Sequence, residues 1–104
     1  MRADVLVVLD FHDANQTLRN AFARSFHENG WRHHPSMANS FYKRDLLASS
    51  DDELTELCED CVRQSAAGIG LERWDATCIL GEPGWQIFGT DQVDPFKTDS
   101  AVTF

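Results

Sequence analysis

The chain has 104 residues, 17 acidic against nine basic, for a formal net charge of −8; that is the size of one domain, and its sign disfavours non-specific binding to nucleic-acid phosphates. Its 42% hydrophobic and 11% aromatic content excludes a disordered chain, and at this length a core forms without disulfide or metal staples. The longest apolar run, Val5–Leu9, is far short of the ~20 residues that cross a bilayer; no secretory leader is visible, and an odd set of three cysteines reads as reduced thiols in a cytoplasm, with no membrane association.

Ala3–Asp10 reads as a strand whose continuous apolar run Val5-Leu6-Val7-Val8-Leu9 suits burial on both faces, hence a central place in its sheet. Asp13–Asn29 reads as a helix, with Asp13 as cap, Gln16 completing a capping box, and Leu18, Ala21, Phe22, Ser25 and Phe26 along one buried face. Gly30 stands where such a helix ends in a left-handed turn. Trp31–His34 and Ser40–Asp45 read as two strands joined through Pro35 and Asn39.

Ser50-Asp51-Asp52-Glu53 opens a second helix with a capping box, its acids placed where the helix dipole favours negative charge. Leu54, Leu57, Cys58, Cys61, Val62 and Ser65 form its buried stripe, and Gly68 and Gly70 end it. Trp74–Leu80 is a strand, Gly81-Glu82-Pro83-Gly84 a turn, and Trp85–Phe88 a hairpin return or a strand that pairs with a second copy. The order is strand, helix, two strands, helix, strand. It predicts an α+β, ferredoxin-like β-α-β-β-α-β sandwich over residues 1–89, two helices on one face of an antiparallel sheet and the other face open, followed by a polar tail over residues 90–104.

The step Val7-Val8-Leu9-Asp10-Phe11, a buried strand ending in aspartate, with Asn39-Ser40-Phe41 opening a later strand, resembles two groups of small ferredoxin-like endoribonucleases. These are the CRISPR-associated nuclease subunit of the spacer-integration complex and the GhoS-type antitoxins, and the resemblance extends over roughly Val5–Phe88. It implies a homodimer in which the aspartate matching Asp10 holds a divalent metal near the two-fold axis.

The residues themselves carry three constellations. Asp10-Phe11-His12-Asp13 puts carboxylates and an imidazole at a strand end, a donor set that suits magnesium or manganese, with Asp10 as metal ligand and Asp10 and His12 as catalytic candidates; Asp13 doubles as a helix cap. Arg32, His33 and His34, with Lys43 and Arg44 on the next strand, form the one basic island and interleave with Trp31, Phe41 and Tyr42, as a surface that stacks bases and pairs phosphates would. Glu56, Glu59 and Asp60 form an acidic helix face able to occupy a basic groove on another protein. The Cys58-x-x-Cys61 pair lies too deep in its helix for a redox motif and reads as core packing. Two functions stay open at this point: a nucleic-acid-associated, metal-dependent endoribonuclease whose partner is RNA, or a non-enzymatic acidic inhibitor, such as a phage protein that blocks the nucleic-acid site of a defence complex.

Overall fold

The computed structural model describes residues 1–84 and 100–103. Its elements are β1 (Arg2–Asp10), α1 (Gln16–Glu28), β2 (Arg32–His33), β3 (Ser40–Leu47), α2 (Asp51–Ile69), β4 (Asp75–Gly81) and β5 (Ser100–Thr103). They build one sheet in the order β2-β3-β1-β4-β5, with every pairing antiparallel. The first four strands and two helices are the ferredoxin-like sandwich that the element order predicts.

β1 lies between β3 and β4, as its run of apolar residues demands. Its side chains alternate between the two faces. Ala3, Val5, Val7 and Leu9 join Phe22 and Phe26 of α1 and Leu54, Cys58, Val62 and Ala66 of α2 in one buried core, so both helices pack on the same face. Phe22, Phe26, Trp31, Leu54 and Val62 are fully buried, each contributing about 1.5–3 kcal/mol by removal from water. Trp31 stacks on Phe26 with ring centroids 4.7 Å apart.

The opposite face is not open as expected. Leu6 and Ile79, paired across β1 and β4, are both buried, and Val8, Met37 and Tyr42 pack against them. At one end of this face Asp4 is also buried. Its carboxylate accepts hydrogen bonds from Arg44 Nη1 at 2.8 Å, Asp45 N at 2.9 Å and Gly84 N at 2.9 Å. The β1–β3 register shifts between Ala3 and Val5 at this point, and Asp45 takes a positive φ of 61°. The irregular strand end thus turns amides toward one carboxylate, which satisfies them.

Several local details differ from expectation. Asn15, not Asp13, caps α1, its side chain accepting from Leu18 N at 2.9 Å; Asp13 points to solvent, 3.6 Å from Arg73. Ser50 caps α2 by accepting from Glu53 N at 3.1 Å, but Glu53 reaches back to Ser49 rather than to Ser50; these bonds lower the Glu53 carboxyl pKa. Gly30 and Gly70 adopt left-handed φ values of 90° and 76° after the two helices, as predicted for Gly30, whereas Gly68 lies within α2. Leu57 faces outward and Cys61 is half-buried, so the buried stripe of α2 is narrower than the sequence pattern. Part of the expected tail belongs to the sheet, since Ser100–Thr103 pairs with β4. The expected strand Trp85–Phe88 lies outside the described residues.

Candidate functional site

The antiparallel register sets Asp10, the last residue of β1, directly opposite Asp75, the first of β4. Both side chains therefore leave the sheet on the face away from the helices, at the ends of two interior strands, where both are exposed. Two like charges so placed repel. Phe11 then turns inward and is buried against Phe22 in an edge-on contact at 5.3 Å, which anchors the turn that follows. His12 takes a left-handed φ of 52°, uncommon for a residue other than glycine. In that conformation its backbone N–H donates to Asp10 Oδ1 at 2.8 Å, and its ring Nε2 lies 2.7 Å from Asp75 Oδ2.

One ligand atom each from Asp10, His12 and Asp75 falls within 4.8 Å of the others. No second group of three such residues occurs among the described residues. Two carboxylates and one imidazole form a donor set that manganese accepts readily and magnesium accepts through its oxygen members. Exposure leaves room for the waters that magnesium retains. The paired charges of Asp10 and Asp75 are the further feature that fits a cation here. Asp10 and His12 were legible as candidates, but Asp75 was not. It is 65 positions along from Asp10 in the sequence, and only the strand register brings it near.

The basic island divides. Strand alternation puts Arg32, Tyr42 and Arg44 on the face away from the helices, Arg32 standing opposite Tyr42. His33 goes to the other face, stacked on Phe41 at 4.9 Å with its Nε2 bonded to the Ala38 carbonyl at 2.5 Å. His34 is buried, 4% exposed, and its Nδ1 accepts from the amides of Ser36 and Met37, each at 3.1 Å. It is a turn-holding imidazole that no RNA could reach, which corrects its assignment to a nucleic-acid surface. Lys43 Nζ donates to the Asn29 carbonyl at the end of α1 at 3.0 Å and lies over the Trp31 ring. Arg44 is tied to buried Asp4 and lies over Tyr42. The island and the Asp10 cluster do not converge. Arg44 is level with Asp4, and Asp10 is six residues farther along β1, about 20 Å at 3.3 Å per residue.

On α2, Glu56 and Asp60 are exposed, while Glu59 is held by Arg63 at 2.6 Å, one turn on. Arg63 also lies over the Trp74 ring. The acidic face is real but partly self-neutralised. The cysteines are free thiols, Cys58 and Cys78 buried and Cys61 half-buried. The neighbouring Cys78 thiol, together with burial, pushes the Cys58 pKa up; burial also raises Cys61. Such thiols are poor nucleophiles. The buried Trp31 indole Nε1 has no hydrogen-bond partner among the described residues. Compared with protein-family models, curated proteins and solved structures, the chain matches none, so its function is argued from this geometry alone.

Proposed function

We propose that this chain is a small nucleic-acid-associated protein, of the CRISPR-associated or antitoxin kind, that cleaves RNA with a divalent ion held by Asp10, His12 and Asp75. The observation that carries the reading is the convergence of three donor atoms, from a strand end, the turn after it and the facing strand, within 4.8 Å. Magnesium or manganese bound there would polarise a phosphodiester and lower the pKa of a bound water. β1, paired on both edges, holds Asp10 in place, as a metal ligand requires. His12 would contribute a nitrogen ligand or, left off the ion, a proton for the leaving oxygen. Because Asp75 supplies the second carboxylate within one chain, the ion does not depend on a second copy; in this reading the protein is nonetheless a cytoplasmic two-fold homodimer, and light scattering that gave only the 11.8 kDa monomer mass would remove that part.

The test is manganese binding followed by calorimetry, run beside RNA cleavage in magnesium and in manganese. Asp75→Asn and Asp10→Ala should each weaken manganese binding at least roughly tenfold, the effect of losing one charged ligand, and should abolish cleavage while leaving the circular dichroism spectrum intact. Wild-type protein that cleaves no RNA with either metal would sink the nuclease reading. The net charge of −8 favours a second one in that event, a non-enzymatic acidic inhibitor. Its test is charge reversal at Glu56, Glu59 and Asp60, which should weaken binding to a basic partner and flatten its salt dependence.

A further inference from the structure

The β2–β3 edge holds a depression of about 240 Å³ lined by Gly30, Arg32, Tyr42, Lys43 and Arg44. Three cations share it, and the carboxylate bonded there, Asp4, is buried and bound to Arg44. Counting these four groups, the depression carries a surplus of two positive charges in a chain whose net charge is −8. A concentration of one sign against the sign of the whole molecule needs a reason beyond solubility.

Each cation is positioned differently. Arg44 is fixed by Asp4 at 2.8 Å and by the Tyr42 ring 5.8 Å away. Lys43 is fixed by the Asn29 carbonyl. Gly30 leaves room for it, since a β-carbon at that position would sit 3.2 Å from Lys43 Cε and Nζ, and its φ of 90° suits glycine. Arg32 is exposed and makes no side-chain hydrogen bond or ion pair with the described residues. Two anchored cations and one unengaged guanidinium, with its planar fork of donors, form an arrangement suited to an oxyanion such as a phosphate.

We infer that this depression is a phosphate-binding site, and that the phosphate it takes belongs to a single-stranded RNA. The volume is below the ~300 Å³ of an ordinary small-molecule pocket, enough for a phosphate group but not for a whole enclosed ligand. The RNA part rests on the function proposed above. Along the strands the depression runs from about 13 Å from the Asp10 cluster, at Arg32 and Tyr42 level with Leu6, to about 20 Å at Arg44, so a ligand touching both must be extended, as a polymer is. The depression would then hold a phosphate remote from the scissile bond and contribute to affinity rather than to chemistry.

The experiment is performed on the full chain. Inorganic phosphate is titrated while amide chemical shifts are followed, and a fluorescein-labelled single-stranded RNA of roughly twelve nucleotides, within the span such surfaces cover, is bound by anisotropy. The variants are Arg32→Glu and Asp75→Asn; Arg32 is exposed on a two-residue edge strand, so its replacement leaves the core untouched. Phosphate should shift the amides of Arg32, Tyr42, Lys43 and Arg44. Arg32→Glu should weaken both phosphate and RNA about tenfold, the effect of one charge-assisted contact, lower the salt slope for RNA by about one, and leave manganese binding unchanged. Asp75→Asn should do the reverse, losing manganese and keeping phosphate. Failure of the metal reading thus shows as absent manganese binding with the depression intact. Phosphate bound without RNA keeps the site, assigns it to a free phosphate or small phosphate ester, and overturns the RNA part. No shift with phosphate, or RNA binding indifferent to Arg32→Glu, overturns the inference.

Discussion

Asp4→Ala is the sharpest test of how this sheet is held at its irregular end. The wild-type carboxylate is 3% exposed and accepts three hydrogen bonds, from Arg44 and from the Asp45 and Gly84 amides. A hydrogen bond to a charged group contributes about 1.5–3 kcal/mol. The Arg44 side chain is 40% exposed, and Asp45 and Gly84 are surface residues, so water replaces part of what each donor loses. Discounting for that, the loss should be about 4 kcal/mol, within the 3–5 kcal/mol of breaking a buried pair. Against a total stability of roughly 5–15 kcal/mol, it should lower Tm by about 20 °C. Urea denaturation followed by far-UV circular dichroism measures it, with an unchanged slope confirming a comparable unfolding transition. Asp4→Asn separates charge from shape: its amide group must face one of three donors, and a loss of about 2–3 kcal/mol is expected. A loss below about 1 kcal/mol for Asp4→Ala would refute the argument and make this carboxylate a bystander.

Three other perturbations probe the rest of the fold. Ser50→Ala should cost about 1 kcal/mol by exposing the Glu53 amide, and Ser50→Gly only a few tenths, measured as a shift of the thermal midpoint. Because the Cys58 pKa is raised in the folded protein, its contribution is complete at neutral pH and is lost as pH rises above about 8.5, where the unfolded thiol ionises and the folded one does not; the decline is at most about 1.4 kcal/mol per pH unit. Urea midpoints between pH 7.5 and 10 should therefore fall less steeply in Cys58→Ala than in wild type. Phe26→Ala, which empties a fully buried site beneath Trp31, should cost about 3–5 kcal/mol and alter near-UV circular dichroism through the lost ring stack.

How much was legible varied with the range of the interaction. The apolar run of β1, the Ser50 cap and the left-handed Gly30 all follow from residues within one or two turns of each other, and these appear as read, whereas the helix stripes are narrower than read: only Phe22 and Phe26 of α1 are buried, and Leu57 of α2 faces outward. Asn15 displaced Asp13 as the α1 cap because two acceptors lie two residues apart and only the entry angle after Phe11 decides between them. The basic island was read as a run, whereas a strand distributes successive side chains to opposite faces; applying that period to Trp31–His34 and Phe41–Arg44 would have separated Arg32 and Arg44 from His33 in advance. His34 was also missed as a buried turn residue, since a histidine beside proline gives no local sign that its ring will accept two amides. The candidate metal centre was half legible: Asp10 and His12 are neighbours in the chain, while Asp75 reaches them through β1–β4 register. Asp4 gave no sign at all, because an acid near the start of a strand looks solvated until the bulge and the Gly84 amide are in view.

The alternation of β1 has a consequence for which lengths of this strand can exist. Between Asp4 and Asp10 the odd residues face the helices and the even ones face the second layer. Deleting or inserting a single residue within Val5–Leu9 would reverse that phase for everything on one side of the change. Either Asp4 or Asp10 would then be carried into the layer now filled by Phe22, Phe26 and Leu54, and an apolar residue would take its place on the opposite face. Substitutions in this segment can be graded from mild to severe, but changes in its length cannot. Among natural or laboratory variants, the seven positions from Asp4 to Asp10 should therefore vary in residue and stay constant in number.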